Sequence, residues 1–325
     1  MNTASHPLPL NPPVFLAPLA GITDLPFRSL VSSFGAGLVV SEMIASHDMV
    51  CGRAGSRDKA ELGFHLENTA IQIAGWESYW MAEAAKMAES KGAKMIDINM
   101  GCPAKKVVNG FSGSALMRDL SHANRLIEAV VSAVDVPVSL KTRLGWDEKS
   151  LNALQLARMA EEAGIVMITI HGRTRNQFYK GQANWTAIND IKEAVSIPVI
   201  ANGDIVDAAS AKTALKLSNA DGVMIGRGAR GRPWVLAEVA HKVFNYEPIS
   251  RPSGFDFVAM IAEHYEAMLD FYGVELGLRI ARKHLGWYMD TAATPIDIRR
   301  LVLTSPSTKE VLKHITKAFS KELVA

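Results

Sequence analysis

A single cysteine follows an apolar stretch that has the length of a buried strand. Residues 95–98 are apolar apart from one acid, and they lead into the turn-forming segment Asn-Met-Gly-Cys-Pro (99–103). In α/β enzymes the loops after the strands hold the reacting groups, so Cys102 stands where a catalytic residue is expected. Free cysteines are also often small core hydrophobes. The residues around Cys102 leave both interpretations open.

The segment after the cysteine is basic and contains glycines. Lys105 and Lys106 are followed by Gly110 and Gly113. Glycine permits many backbone conformations, and lysine attracts negative charge. We expect this loop to close over an anionic substrate.

Glycines and an arginine follow two later apolar stretches, 198–201 and 222–225. Gly203, Gly226 and Gly228 would let backbone N–H groups approach an anion closely, and Arg227 adds charge. If these stretches are the seventh and eighth strands of a barrel, their loops form its usual phosphate site. Glycines that only make tight turns are the alternative.

Three polar residues at predicted strand ends allow several roles. Lys141 could reach solvent, form an aldolase-type Schiff base, or lie as a fixed cation beside the N1–C2 edge of a reduced flavin. Gln72 can donate and accept hydrogen bonds at once, which suits the pyrimidine edge of a flavin ring. His171 could be a ligand, an acid–base group or a core histidine. No second histidine or acid lies at metal-ligand spacing, so we expect no metal site.

The composition excludes several classes of protein. Of the 325 residues, 48% are hydrophobic and 21% are charged, as in an ordinary globular protein. No apolar run approaches the roughly 20 residues that span a bilayer, and residues 1–7 lack a signal-peptide pattern, so we expect no membrane association. Two cysteines exclude a disulfide scaffold and fit a reducing cytoplasm. With a net charge of only +2, a nucleic acid would have to bind a local basic patch.

Eight short apolar stretches indicate strands that are buried on both faces, as in a parallel sheet. Eight such units, mostly separated by predicted helices over about 230 residues, predict a (β/α)8 TIM barrel. A doubly wound open sheet is disfavoured, because no Gly-x-Gly-x-x-Gly turn follows the first strand. The predicted strands cover 14–17, 38–40, 70–73, 95–99, 138–141, 166–170, 198–201 and 222–225.

Helical periodicity occurs between the strands and continues alone after a Pro- and Gly-containing linker near residue 248. We therefore predict a catalytic barrel over 1–247 and a small all-helical domain over 248–325. A Thr23-Asp24 cap predicts a helix to residue 33, and another is predicted to begin at Ser41-Glu42. The other predicted helices cover 77–90, 114–134, 151–163, 185–195, 208–217, 257–272, 276–289, 296–303 and 307–323.

Five motifs occur together and in the order found in one known family. They are Ala-Pro-Leu-Ala-Gly-Ile-Thr-Asp (17–24), Asp-Ile-Asn-Met-Gly-Cys-Pro (97–103), Thr-Ile-His-Gly-Arg-Thr (169–174), Ile-Ala-Asn-Gly-Asp-Ile (200–205) and Met-Ile-Gly-Arg-Gly (224–228). As a set they resemble the tRNA-dihydrouridine synthases, over about residues 14–285. Ala-Lys-Lys (104–106), Gly-Arg-Pro-Trp (231–234) and Arg-Ile-Ala-Arg-Lys-His (279–284) are most similar to the bacterial B subgroup. Leu19 stands where methionine is common in the family.

The resemblance implies a flavin barrel that uses FMN and NADPH, followed by a helical tRNA-recognition domain. Cys102 would be the proton donor, and Asn99, Arg143 and Tyr179 would contact the uracil. We group His171 with the cofactor-binding residues. The residues that the resemblance implies for FMN binding are Pro18, Leu19, Ala20, Gln72, Lys141, Asn202, Gly203, Asp204, Gly226 and Arg227.

The chemistry of this family requires a hydride at uracil C6, from N5 of reduced flavin, and a proton at C5 from the opposite face. A thiol that stays protonated can give that proton as a general acid. The uridine must also leave its stack, which favours an exposed loop nucleotide. Similarity to the B subgroup implies the tRNA D-loop, with position 17 as a guess. We expect a cytoplasmic monomer with tRNA and NADPH as partners.

Basic residues on one predicted helix could contact the RNA. Arg279, Arg282 and Lys283 are spaced i, i+3 and i+4 and therefore share a helical face. An ordinary solvated face is the alternative. Residues of the predicted barrel rim that would extend the positive charge are Lys105, Lys106, Arg173, Arg175 and Lys180.

Three other functions fit part of the sequence. A small-molecule flavin reductase, such as a dihydroorotate-oxidising barrel, would have no use for a helical domain with a basic face. A Schiff-base aldolase would use Lys141 and be colourless. A non-catalytic tRNA chaperone would tolerate Cys102→Ala.

Overall fold

The computed structural model describes residues 11–53, 55, 59–63 and 68–319 of the chain. Residues 1–7, which argued against a signal peptide, lie outside the described residues. So do residues 320–323 at the end of the predicted helix 307–323. No helix within the described ranges is long and apolar enough to cross a membrane.

The described residues form one parallel sheet whose strands are β1 (Val14–Leu16), β2 (Leu38–Val40), β3 (Ile44–Ala45), β4 (Thr69–Ala74), β5 (Met95–Met100), β6 (Val138–Arg143), β7 (Met167–His171), β8 (Val199–Asn202) and β9 (Gly222–Ile225). Strand β9 pairs with β1, and β2 pairs directly with β4, so eight strands close a barrel. The two-residue strand β3 pairs only with the end of β4. The predicted TIM barrel is confirmed.

Helices alternate with the barrel strands: α1 (Leu25–Ser33), α2 (Ser46–Val50), α3 (Ser78–Ser90), α4 (Lys105–Asn109), α5 (Leu120–Val131), α6 (Ala153–Glu162), α7 (Thr186–Ala194), α8 (Ala208–Ser218) and α9 (Val235–Phe244). Asp24 caps α1 as predicted, because its Oδ1 accepts a hydrogen bond from the Phe27 N–H at 3.0 Å. In α5 the buried residues recur at helical spacing, and this stripe packs on the sheet. They are Ala123, Leu126, Ile127 and Val130.

Two predicted helices are wrong in detail. The chain stays extended at Ser41-Glu42, because the Ser41 N–H donates to the Ala70 carbonyl and the Ser41 hydroxyl accepts from the Gln72 N–H. Helix α2 therefore starts only at Ser46. The predicted helix 114–134 is divided into a 3₁₀ turn, Gly113–Arg118, and α5, because Asp119 leaves helical geometry to cap α5. The helices α4 and α9 are not predicted from the sequence.

The barrel interior is apolar at the start of the strands and polar at their ends. Because strand side chains alternate, a residue and the second residue after it face the same side. Thus Ala70 lies in the interior cluster and Gln72 follows it, as Thr169 follows Met167 and Asn202 follows Ile200. This interior apolar cluster consists of Phe15, Ala17, Leu38, Val40, Ala70, Met95, Met167, Ile200 and Met224. It closes the barrel below the strand ends.

After residue 245 the described chain is helical, as predicted, with α10 (Gly254–Tyr272), α11 (Val274–Thr291), α12 (Ile296–Thr304) and α13 (Thr308–Ala318). These helices share a second apolar core, which also includes Phe34 and Trp234 from the barrel segment. Polar contacts also join the helical segment to the barrel segment. The Tyr272 hydroxyl donates to Asp24 at 3.0 Å, and Lys283 donates to the Gly21 carbonyl. The helical segment is thus packed on the barrel beside the β1 loop.

Candidate active site

A cavity of about 630 Å³ opens at the carboxyl ends of the barrel strands. Every residue predicted to bind the cofactor lines it, and so do the predicted proton donor and the three residues predicted to contact uracil. These lining residues are Pro18, Leu19, Ala20, Gln72, Asn99, Cys102, Lys141, Arg143, His171, Tyr179, Asn202, Gly203, Asp204, Gly226 and Arg227. The topology collects these residues because all the loops concerned follow parallel strands of one barrel.

A hydrogen-bonded chain of buried side chains runs across the cavity floor. Asp97 accepts from the Ser139 hydroxyl and from Gln72 Nε2, both at 2.6 Å. Gln72 Oε1 accepts from Asn99 Nδ2 at 2.8 Å. Asn99 Oδ1 in turn accepts from the Cys102 N–H at 3.0 Å. The chain fixes the orientation of the Gln72 amide and connects it to the main chain of the cysteine.

Two buried charges lie in this floor. Burial raises the pKa of Asp97, against hydrogen bonds from Ser139 and Gln72 and the charge of Lys141. Burial, followed by the charge of Arg143, lowers the pKa of Lys141. The Lys141 ammonium donates to Asn202 Oδ1 at 2.9 Å, and Asn202 Nδ2 donates to the Met224 carbonyl at 2.8 Å. These bonds hold the lysine inside the barrel and not in bulk solvent.

Cys102 is partly exposed and faces the cavity. Its carbonyl accepts from the Ser114 N–H at 3.1 Å and from the Ser114 hydroxyl at 2.8 Å, which closes the loop between them. Gly113 has φ +61°, and a Cβ there would be 2.9 Å from the Cys102 carbonyl oxygen. The close approach therefore requires glycine. The main chain of Cys102 is fixed while its thiol remains accessible.

Arg143 joins the loops that carry Cys102 and Tyr179. Its Nε donates to the Gly101 carbonyl at 2.7 Å, and its Nη1 donates to the carbonyls of Thr174 and Phe178 at 3.0 and 2.9 Å. The guanidinium also lies 5.6 Å from the Tyr179 ring, and Arg227 lies 5.2 Å from the same ring. Tyr179 is thus held at the cavity mouth between two cations.

The loops after β8 and β9 form a cationic end of the cavity. Gly203 has φ +108°, and a Cβ there would be 2.7 Å from the His171 ring, so only glycine fits. Asp204 accepts from Arg173 at 2.5 Å and lies 3.5 Å from Arg227. Partial burial opposes ionisation of Asp204, but the bond from Arg173 and the main-chain bond from Ala183 hold its pKa below the usual value.

His171 is a neutral imidazole in this environment. Burial, followed by the charges of Arg143 and Lys141, holds the pKa of His171 well below its usual value. Arg173 Nη1 lies 3.3 Å from His171 Nε2, and arginine can only donate, so Nε2 accepts. The ring proton is therefore on Nδ1. His171 can bind a polar group of a ligand without adding charge.

The sequence of this chain matches a known protein family. A family model described as dihydrouridine synthase matches residues 15–323. The chain belongs to the dihydrouridine synthase family. A relative from Rhodobacter capsulatus, named a probable tRNA-dihydrouridine synthase, is 57% identical over 327 residues that cover both chains completely. The tRNA-dihydrouridine synthase B of Pseudomonas syringae pv. tomato is 44% identical over 95% of this chain and 91% of its own.

Solved structures that share the fold are remote in sequence. Histamine dehydrogenase from Rhizobium sp. 4-9 matches with a TM-score of 0.52 and 13% identity, over 78% of this chain and 48% of its own. A 2-naphthoyl-CoA reductase complex matches with a TM-score of 0.54 and 12% identity, over 70% of this chain and 50% of its own. They support the barrel architecture of this family member and nothing finer.

The residues predicted to contact RNA lie outside the cavity wall of this dihydrouridine synthase family member. Lys105 and Arg279 are exposed, and Arg282 is half-buried. Lys283 is turned towards the barrel and bound to the Gly21 carbonyl, while the Glu42 carboxylate accepts from the Gly21 N–H. The helical face that Arg279, Arg282 and Lys283 share thus includes one side chain, Lys283, that contacts the β1 loop.

Sequence reasoning did not assign two charged residues of the site. In the sequence, Asp97 is an acid within an apolar stretch, and that pattern is the available signal. The sequence suggests Arg173 as one of the residues that extend the positive charge around the rim, but its side chain is buried. Its guanidinium is bound to Asp204 and to the carbonyls of Lys180 and Gly181. Its position two residues after His171 is the available signal.

Proposed function

We propose that this protein reduces specific uridines of the tRNA D-loop to 5,6-dihydrouridine, with bound FMN as cofactor and NADPH as reductant. For this member of the dihydrouridine synthase family, the proposal rests on one observation. Cys102, Lys141 and Arg227 line a single cavity, so a proton donor, a buried cation and an anion-binding loop face the same space.

The cavity has the features that FMN needs. Its volume lies within the range of about 300–1,000 Å³ that is usual for cofactor sites. Leu19 and Pro18 offer an apolar wall for a flat ring, while Gln72 and the Lys141 cation suit the polar pyrimidine edge. Arg227 and the main chain at Gly226 and Gly203 suit a phosphate. The donor set therefore matches a ring at one end and an anion at the other.

When bound and reduced, FMN would supply the hydride for uracil C6. Cys102 gives the proton to C5, and its thiol can do so because it faces the cavity from a loop whose main chain is fixed by Asn99 and Ser114. The amide of Asn99 and the guanidinium of Arg143 are suited to the uracil carbonyl oxygens, and Tyr179 offers a ring at the mouth.

The remaining parts of the proposal concern the partners. Lys105, Arg279, Arg282 and Lys283 would contact the tRNA, and the segment 248–325 would be its recognition domain. Counterion release from phosphates makes such contacts favourable and salt-sensitive. We infer a monomer acting in the cytoplasm, where thiols stay reduced and Cys102 stays free.

The decisive experiment measures dihydrouridine directly. We expect the purified protein to show a flavin absorption band, to be bleached by NADPH, and to form dihydrouridine in tRNA from a strain that lacks the gene. Mapping the modified position by mass spectrometry then tests the D-loop assignment. Absence of a flavin band after FMN is added back, or tRNA that stays unmodified, would overturn the proposal. Trapping of a substrate on Lys141 by borohydride would instead support the aldolase alternative.

A further inference from the structure

Exposed aromatic rings form a cluster beside the loop that carries Cys102. Trp76 follows β4 and Phe111 lies between α4 and the 3₁₀ turn, so both belong to loops at the carboxyl ends of neighbouring strands. Their ring centroids are 5.1 Å apart. Their side chains are 44% and 61% exposed, and contiguous exposed apolar side chains are typical of interaction sites. The cavity residues do not include this pair, which we call the aromatic platform.

Contacts with His122 fix the position of Trp76 in the aromatic platform. The His122 ring packs on Trp76 with centroids 4.4 Å apart, and its Nε2 is 2.7 Å from the Trp76 carbonyl oxygen. Arg125 Nη2 lies 3.1 Å from His122 Nδ1 and must donate to it, so Nε2 carries the proton and donates to Trp76. The indole is thus fixed through both its ring and its main chain. A preorganised ring loses little conformational freedom when a ligand stacks on it.

Phe111 has an unfavourable backbone conformation. Its φ is +56°, a region that bulky residues seldom adopt, yet the ring that this geometry presents points to solvent. Such strain at an exposed residue is typical of sites with a function. Phe111 also belongs to the loop that Ser114 closes onto the Cys102 carbonyl. Its position is therefore connected to that of the cysteine.

Three exposed cations lie in the segments around the platform, together with the exposed acids Glu77 and Asp119. Lys105 and Lys106 are exposed at the start of α4 in the same loop, and Arg125 is exposed beside His122. Two partly exposed aromatic side chains next to exposed cations match a single-stranded nucleic acid, whose bases stack on aromatic rings while phosphates bind the cations. An apolar protein partner would not require this charge.

We propose that the aromatic platform of Trp76 and Phe111 stacks an unpaired base of the tRNA next to the uridine that enters the cavity. The inference rests on the proposed function and adds a second RNA site to it. Stacking there would hold the unpaired strand of the tRNA at the rim of the cavity. It would also set the distance between the target uridine and the loop that carries Cys102. The platform acts on tRNA binding and takes no part in proton or hydride transfer.

The test removes the ring without straining the loop. Phe111→Gly abolishes the aromatic face, and glycine accepts φ +56° freely, so the loop keeps its geometry. We expect the KM for tRNA and the dissociation constant from fluorescence anisotropy to rise about 5- to 150-fold, the range for loss of one stacked base. Phe111→Tyr, which keeps the ring, should restore tight binding. Trp76→Leu should weaken binding similarly.

A control variant tests whether the loss of any exposed apolar side chain weakens tRNA binding. Leu217→Ala removes an exposed apolar side chain from α8 on the outer wall and should leave tRNA binding unchanged. Circular dichroism and the thermal midpoint verify that each variant is folded. If folded Phe111→Gly binds tRNA as tightly as the unsubstituted protein, the platform has no such role, even where uridine reduction is intact. Because anisotropy needs no turnover, an inactive protein that binds tRNA would overturn the proposed activity alone.

Discussion

Cys102 has a cavity-facing thiol on a rigidly bonded main chain, whereas the other cysteine, Cys51, is exposed on the protein surface after α2. The carbonyl of Cys102 is bound by Ser114 and its N–H by Asn99. General acids act only when they are held within hydrogen-bond reach of the reacting atom. The two cysteines therefore provide a matched pair, since one has this placement and the other lacks it.

We expect Cys102→Ala to slow dihydrouridine formation about 100- to 10,000-fold, the range for loss of a general acid, with the flavin still bound. Cys51→Ala should retain the full rate. Single-turnover reduction of tRNA by prereduced protein measures both. A Cys102→Ala variant that turns over at an unchanged rate would exclude the thiol as the proton source.

Most residues that line the cavity could be found from the sequence because they lie at or just after the end of a recognisable strand, many of them within a short motif. Asp97 and Arg173 could not be assigned in this way. Their significance depends on partners from other strands, such as Ser139 for Asp97 and Asp204 for Arg173. A buried charge is stable only when such partners exist, and sequence spacing does not reveal them.

At the scale of elements, Arg143 connects three carbonyls on two loops, and only a guanidinium has this fork of donors. We expect Arg143→Lys to lower the rate of dihydrouridine formation about 10- to 100-fold, because a misplacement of about 1 Å is enough for such a loss. Alkylation of Cys102 by iodoacetamide, measured without tRNA, should become faster as its loop loosens. Arg158→Lys on the exposed face of α6 is the control. An unchanged alkylation rate would limit Arg143 to substrate contact.

Gly231 lies where the segment before α9 meets α11. Its φ is +68°, and a Cβ would be 2.4 Å from the Trp287 carbonyl oxygen. We expect Gly231→Ala to lower the free energy of unfolding by about 2–4 kcal/mol, because both the backbone and the helix contact become strained. Urea titration measures this loss. Gly181→Ala, at φ +66° in open space, should cost only about 1–2 kcal/mol. Equal losses would mean that the contact with α11 is unimportant.

The elements that sequence analysis misplaced have local causes. Periodicity alone continues a helix through 114–134, but the side chain of Asp119 ends one element and caps the next. At Ser41 the pairing with Ala70 and Gln72 overrides the capping signal that Ser41-Glu42 suggests. The strands were predicted more accurately because burial on both faces produces uninterrupted apolar runs.

At the scale of the whole molecule, two buried histidines lie where the helical segment meets the barrel. His264 and His284 contact each other with ring centroids 5.0 Å apart, and both lie within 6 Å of the Phe27 ring of α1. His264 Nδ1 is 2.9 Å from the Tyr288 hydroxyl, and the Nε2 of each histidine is buried without a hydrogen-bond partner. Burial lowers the pKa of His264 to about 3, and burial together with the charge of His264 holds that of His284 well below 6.5.

These histidines should make the packing of the two segments sensitive to acid. Below pH 6.5 the unfolded chain binds protons that the folded protein excludes, so stability is complete above that pH and falls as the pH drops towards 3. Each histidine should contribute up to about 1.4 kcal/mol per pH unit. Urea unfolding between pH 7 and pH 4.5 measures the slope. His264→Gln, which keeps a partner for Tyr288 but does not titrate, should reduce the slope by one histidine's share, and His241→Gln on the exposed face of α9 is the control substitution. An unaltered slope in His264→Gln would mean that this histidine binds its proton equally in the folded and unfolded protein and does not contribute to the acid sensitivity.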